Sequence, residues 1–548
     1  MATSIRLRPW QKAALEKLLA KDSENFLAVA TPGAGKTTFA LTVAAQYLAS
    51  GDCTGLFVVA PTQHLKVQWA EAAHRLGLHL DHDWSAADGE LPSDMHGIVT
   101  TYQQVATSAP VLRRLTPGAF VILDEVHHAG DDKSWGESVL MAFGPAKRRL
   151  TLSGTPFRSD SSAIPFVEYH MDEALPDYEY GYGDALSDGR VVRPVYFPAY
   201  GGHMEWVAPD GSEFSASFDD ALDHQRSNQR LRTALSLEGQ WLTKVLTEAH
   251  VQLLNIRRTH DNAAGLVIAM DQDHANGIAR LMKSRFGVTP TIAVSDDPQA
   301  SAKIARFAAS SDPWIIAVRM VSEGVDIPRL RVGVYATNTT TELFFRQVVG
   351  RFVRWTRGVR NQKAFLFLPD DPRLRRFATE IAAQRRHSLK KKRGEDDSDF
   401  GELDDQAQSE REEQGQEEQM SLFAVISAVA DEAEMTPSVF SEDHPEDWDD
   451  DEDESPAEDD ALEIRLAVPP PRGAKPGEAS TKTRKQIKVE LREANAALAR
   501  ELVRFSRFDH RQVNAELNRL AGIRKVTEAT IEQLQTRLDR GNRWLKSL

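Results

Sequence analysis

Short apolar runs recur through the first third of the chain: NFLAVA (25–30), GLFVVA (55–60), HGIVTT (96–101), AFVILD (119–124) and RRLTLSG (148–154). Between them lie amphipathic stretches such as WQKAALEKLLA and LKVQWAEAAHRLG, whose apolar residues return at helical spacing. The runs read as strands, and their alternation with helices predicts parallel βαβ units with helices on both faces. Residues 196–260 lose the rhythm; a polar, aromatic stretch (GGHMEWVAPDGSEFSASF) passes into a helical pattern. From GLVIAM (265–270) the alternation returns through TPTIAV, WIIAVRM, RVGVYA and KAFLFLP, predicting a second α/β unit that ends near residue 385.

The pattern then fails. Polar, highly charged sequence fills most of 386–480 and cannot bury a core, so disorder is expected there. One apolar interruption, MSLFAVISAVA, reads as a short helix, and VPPPRGAKPGEAS as a Pro/Gly linker. Helical periodicity resumes in 481–548. Val513, Leu517 and Leu520 share a face, Gly522 is a stop signal, and a further helix starts at Thr527 or Thr530 with Ile531, Leu534 and Leu538 inward. The expected organisation is an α/β unit (1–195), a connection with helices (196–260), a second α/β unit (261–385), an acidic linker (386–480) and a small basic helical domain (481–548).

Charge sharpens this division. The chain of 548 residues carries a net −15, but 395–460 holds 28 Asp/Glu against one basic residue, Arg411. That local −27 leaves +12 on the remainder, a basic body with an acidic insert. The last segment, 481–548, holds 16 Lys/Arg against 8 Asp/Glu. Cys53 is the sole cysteine, which rules out an internal disulfide and a cysteine-held zinc and fits a reducing compartment. No apolar run approaches the roughly 18–20 residues of a membrane span. MATSIRLRPWQ at the start lacks a secretory core, so a cytoplasmic setting without membrane contact is expected. The stretch HLDHD (79–83) reads as a solvated loop rather than a metal cluster.

The first strand runs into ATPGAGKTT. Gly33 and Gly35 allow backbone N–H groups to close on phosphate oxygens, Lys36 reaches β- and γ-phosphates, and Thr37 offers a hydroxyl to Mg²⁺. A P-loop needs a second acidic pair at the end of a neighbouring buried strand. Asp124 and Glu125 stand there, directly after Phe120-Val121-Ile122-Leu123. Asp124 suits a Mg²⁺ ligand through water, and Glu125 a base for the attacking water.

At this point the chain resembles superfamily 2 DExH-box helicases and translocases. Asp124-Glu125-Val126-His127 is similar to their DExH box, and Ala30 to Thr37 to their A-x-x-G-x-G-K-T loop. LRPWQ (7–11) resembles the adenine-reading element, with Gln11 as the base contact. VVAPTQHLKVQW (58–69), VTTYQQV (99–105), LSGTPFR (152–158), VRMVSEGVDIP (318–328) and QVVGRFVR (347–354) resemble the later motifs in order. Among members, DEVHHA, LSGTPFRSD and ALSDGRVVRP are most similar to the ResIII-type group of restriction translocase subunits and DNA-repair helicases.

The resemblance implies two tandem RecA-like parallel-sheet domains that bind ATP and Mg²⁺ between them. Nucleotide contacts then fall on Gln11, Thr31, Pro32, Gly33, Ala34, Gly35, Lys36, Thr37, Thr38, Gly324 and Asp326, and Mg²⁺ on Thr37 and Asp124. Lys36, Asp124, Glu125, Gln347 and two arginine fingers, Arg351 and Arg354 on one helix face, carry catalysis. Pro61, Thr62, Thr101, Tyr102 and Ser322 become strand contacts, and His127, Ser153 and Thr155 couple the two activities. The implied function is an ATP-dependent DNA helicase or duplex translocase acting on single-stranded or duplex DNA. An RNA helicase and an ATP-controlled switch without unwinding stay open as alternatives, as does a protein partner for the C-terminal helices.

Overall fold

The computed structural model describes residues 3–21, 23–126, 133–154, 164–170, 173–208, 210–294, 297, 299–318, 327–359, 362–393, 424–429, 462–466, 468–471, 484–506, 508–523, 526 and 529–547. In the first domain, seven strands pair in parallel in the order Tyr178–Tyr180, Asn25–Ala30, Arg148–Ser153, Phe120–Leu123, Leu56–Ala60, Gly97–Thr101, Leu80–Asp81. Side chains alternate between two apolar layers. Ala28, Ala30, Val58 and Ala60 enter one core, while Leu27, Val29, Phe57 and Val59 enter the other. Burial on both faces is why these runs are apolar throughout. The strand order matters for function. Arg148–Ser153 lies between the strand that ends in the P-loop and the strand that ends in Asp124-Glu125. All three therefore deliver their C-terminal ends to one crevice.

The second domain repeats the design with Val195–Tyr196, Ala364–Pro369, Leu330–Ala336, Ala264–Ala269, Trp314–Val318 and Thr291–Val294 in that order, all parallel, and Ala199–Tyr200 also pairing with Ala364–Pro369. The two sheets are tandem RecA-like domains, as the motif order implies.

Two observations differ from the sequence reading. Within 196–260, His203–Val207 and Glu213–Ser217 form a hairpin ahead of the helices His224–Ala234 and Gln240–Arg257. Met204 and Trp206 point inward, with Glu205 between them only half-buried. The period is two, but it is too short to stand out from one sequence. The apolar interruption in the acidic region is a strand, Ala424–Val429, and not a helix; it adds antiparallel to His203–Val207. A short apolar run has no decisive period of its own, and pairing across more than two hundred residues settles it. Further on, Leu462–Leu466 pairs antiparallel with Thr3–Leu7 on the first domain. The acidic stretch 430–461 thus follows a strand on the second domain and precedes a strand on the first.

Beyond it, Arg484–Phe505, His510–Ala521 and Ile531–Ser547 form a three-helix bundle. Asp509 caps the second helix with Gln512, and Gly522 ends it at φ 69°. Thr530 exchanges hydrogen bonds with Gln533 at the start of the third. Leu498, Leu502, Val513, Leu517 and Leu534 fill the core. Buried Arg537 bonds the side chains of Asn495, Asn514 and Asn518 at 2.7–2.9 Å. Among the described residues no helix is long and apolar enough to cross a membrane, and no cluster of His, Cys, Asp and Glu has the makings of a metal site.

Candidate functional site

The strand Asn25–Ala30 ends in a loop whose shape comes from Gly33 (φ 86°) and Gly35 (φ 94°), a left-handed region closed to most side chains. The helix Lys36–Ala49 starts directly after it, so loop amides and helix N-terminus face one space, the geometry that takes phosphate. The loop is clamped from behind. Arg8 donates to the carbonyls of Gly33 (3.1 Å) and Ala34 (2.9 Å), Trp10 Nε1 to Ala34 (3.0 Å) and Gln11 Nε2 to Gly35 (2.9 Å). Trp10 also stacks on Tyr180 with ring centroids 5.1 Å apart. Burial lowers the pKa of the Arg8 guanidinium. Gln11 is buried, and its amide oxygen accepts from Arg8 N–H. The LRPWQ element therefore supports the P-loop.

Lys36 Nζ meets Glu125 Oε1 at 2.7 Å, and the other Glu125 oxygen accepts from Gly154 N–H at 3.0 Å. A methyl group on Gly154 would stand 3.1 Å from Lys36 Nζ, a tight approach to the end of a flexible side chain. Glu125 adopts φ 47°, which a non-glycine residue holds only when its surroundings over-determine it. Asp124 is nearly buried; its Oδ2 accepts from Trp69 Nε1 at 2.8 Å and its carbonyl from Tyr102 Oη at 2.9 Å. Two anchors of the acidic pair, Trp69 and Tyr102, thus come from the motifs assigned to strand contact. The carboxylate of Asp124 and the half-buried hydroxyl of Thr37 are oxygen donors, a set that suits Mg²⁺.

Tyr102 requires a correction. Its ring is wholly buried and its hydroxyl is committed to Asp124, so it positions the acidic strand and does not touch nucleic acid. Thr62 and Thr101 both cap helices, accepting from Leu65 N–H (3.3 Å) and Gln104 N–H (3.2 Å). Pro61 and Thr62 are half-buried while Thr101 is buried, at the ends of adjacent strands. Ser153 is fully buried beneath Gly154. His127, Thr155, Ser322, Gly324 and Asp326 lie outside the described residues.

The second domain closes the crevice. Gly350, in the helix Glu342–Phe352, packs against Pro32 so tightly that a methyl would come within 2.7 Å of the proline ring. Arg354 lays its side chain over Gly33, its Cδ 3.4 Å from where a Cβ would sit there. Gln347 and Arg351 share a face of this helix and are half-buried. Arg354 is not on the helix, contrary to the spacing argument. The helix ends at Phe352, and the extended segment after it pairs with the interdomain connection through Val192↔Arg354 and Arg193 N–H to Val353 carbonyl (2.8 Å).

Fold and site together define a P-loop protein with a nucleotide crevice built from two RecA-like domains. Residues 4–158 match the family of the type III restriction enzyme res subunit, ResIII. Over 391 residues, 70% of this chain, 46% are identical to an uncharacterised protein of Mycobacterium tuberculosis, of whose length 64% is covered. An uncharacterised protein of Mycobacterium leprae is 45% identical over 392 residues, covering 70% of this chain and 65% of that one. The chain spans less than two thirds of the curated relatives it matches. The DNA 3'-5' translocase XPB2 of Sulfurisphaera tokodaii is 33% identical over 156 residues, 28% of this chain and 32% of the relative.

Proposed function

We infer that the chain is an ATP-dependent nucleic-acid motor, a DNA helicase or duplex translocase of the ResIII type. The observation that carries this reading is Arg354 of the second domain lying over Gly33 of the P-loop, with Gly350 seated on Pro32. A nucleotide between these groups has its phosphates held by one domain and its γ-phosphate charge neutralised by both. Hydrolysis and release then change the force between the domains, and strand-holding surfaces on each move with them.

In this scheme Lys36 exchanges its partner Glu125 for phosphate oxygens, which frees Glu125 to orient and deprotonate water. Gly33, Gly35 and the first turn of the helix bind the phosphates, and Arg351 and Arg354 stabilise the charge that develops in transfer. Thr37 and Asp124, the latter through water, would hold Mg²⁺, whose charge would offset that of the phosphates. Pro61 and Thr62, at the mouth of the first domain, are the strand contacts this reading keeps.

ATP turnover measured alone and with single-stranded DNA, duplex DNA or RNA tests it. Stimulation by DNA, absent in Lys36→Ala, is expected. Stimulation by RNA alone would overturn the choice of polymer, and no stimulation by any of the three would overturn the motor.

A further inference from the structure

The C-terminal bundle has one end whose surface its own packing does not require. Its first and third helices run in the same direction, because Asn495, midway along the first, bonds the carbonyl of Leu534 near the start of the third, and Phe508, just past the end of the first, meets Trp544 near the end of the third. The preceding chain enters at Arg484, and the first helix spans 22 residues, about 33 Å. Residues 504–506, 508–511 and 543–546 therefore sit at the end away from the point of attachment.

At that end Phe505 is 66% exposed and Phe508 47%, outside the core of Leu498, Ala499, Leu502, Val513 and Leu517 against which Trp544 and Leu545 pack. Phe508 lies edge-on to half-buried Trp544, with centroids 5.9 Å apart. Arg504, Arg511, Arg543 and Lys546 are exposed in the same segments. The nearby acid Asp509 spends its carboxylate on the helix cap. Cations and exposed rings together select a partner with both a phosphate backbone and open aromatic faces. Unpaired bases stack on rings while their phosphates meet the cations. A duplex engages the cations but hides its base faces, and an apolar protein surface covers the rings but leaves four charges to desolvate.

We propose that this end of the bundle is a single-stranded nucleic-acid contact, with Phe505 and Phe508 as stacking platforms. It deepens the motor reading by giving the machine a second grip on its strand, yet binding here needs no ATP. The test uses the full chain without nucleotide and an end-labelled oligothymidylate carrying a photoreactive base. Crosslinks are expected in 504–511 and at Trp544. Phe505→Ala with Phe508→Ala, both at exposed positions, should weaken binding about tenfold through lost stacking. The basal ATP turnover of this variant should be unchanged.

Crosslinks confined to the two motor domains, with unchanged affinity in the aromatic variant, would overturn the proposal. So would equal binding of duplex that depends on the arginines and not on the rings. Crosslinks to 504–511 that appear only after the acidic stretch 430–461 is neutralised would overturn it in favour of that stretch as occupant. Failure of the motor reading looks different: nucleic acid still crosslinks to the bundle but never stimulates turnover.

Discussion

Glu125 is the residue on which most constraints meet. It holds a left-handed backbone at a cost of about 1–3 kcal/mol, and the positions of Lys36 and Gly154 explain why the chain tolerates it. Glu125→Gln keeps the shape and an acceptor for Gly154 N–H but removes the base. Turnover should fall by about 10²–10⁴-fold with little change in Tm. Near-normal turnover would move the base elsewhere. Arg354→Ala tests the other side of the crevice: loss of an arginine finger costs about 10³-fold or more in turnover. ATP-analogue binding, measured by titration, should be largely kept, because P-loop and Lys36 remain. The left-handed glycine loop and the acid pair that meets it were legible from the chain because a glycine loop and an acid pair after an apolar run are local patterns. Trp69 and Tyr102 as anchors of Asp124 were not, since those bonds span 55 and 22 positions and exist only once the sheet is ordered. Nor was Arg354 off the helix: spacing alone cannot show that Val353 and Arg354 pair with the interdomain connection.

At the scale of elements, the seam between the domains depends on the extended segment around Arg193. Its guanidinium is fully buried, donating to the carbonyls of Leu330 (3.1 Å) and Pro328 (2.8 Å) and to Thr356 Oγ1 (3.0 Å). Burial, helped by nearby Arg331, pushes its pKa down to about 9. Arg193→Met removes one anchor of the turn that carries Arg354, at Thr356, and two to the carbonyls of Pro328 and Leu330. It should lower turnover while ATP binding changes little; equal losses in both would mean a general effect on the fold. A second element, the segment Val468–Pro471, rests on histidine chemistry. His96 Nδ1 accepts from His79 N–H (2.9 Å), and its Nε2 donates to the Pro469 carbonyl (2.8 Å), so only the neutral ring satisfies both bonds. Burial lowers the pKa of His96 and of His79, the latter further depressed by His96 and His74. With folded pKa values below the ordinary ~6.5, the unfolded chain takes up protons first, so stability is retained above about pH 6.5 and lost as pH falls through the folded values. His96→Gln preserves one donor and one acceptor without the titration. Its Tm should decline less steeply than that of the unaltered chain between about pH 7 and pH 5.5. Identical slopes would remove His96 as a contributor.

On the scale of the whole molecule, the acidic insert links the two α/β domains through the strands at its ends. Val429 belongs to a strand on the second domain and Leu462 to a strand on the first. The 32 residues between them hold 16 Asp/Glu and no Lys or Arg. Covalent geometry lets such a stretch extend to at most roughly 110 Å, enough to reach across either domain, and its two anchors keep it at high local concentration. Outside the wider acidic region 395–460 the chain carries a net +12, so the insert and a bound nucleic acid would compete for the same cations. That competition is electrostatic and has a signature. It is strong where the Debye length is long and fades as salt shortens it to a few ångströms. Replacing the 16 acids by Gln and Asn at constant length should tighten DNA binding about tenfold near ~50 mM salt and steepen the fall of log K with log salt, as more counterions are then released on binding. The two chains should converge at high salt. If their binding curves coincide at every ionic strength, the charge of the insert has no bearing on the strand, and only its anchoring at both ends is left to explain its place between the domains.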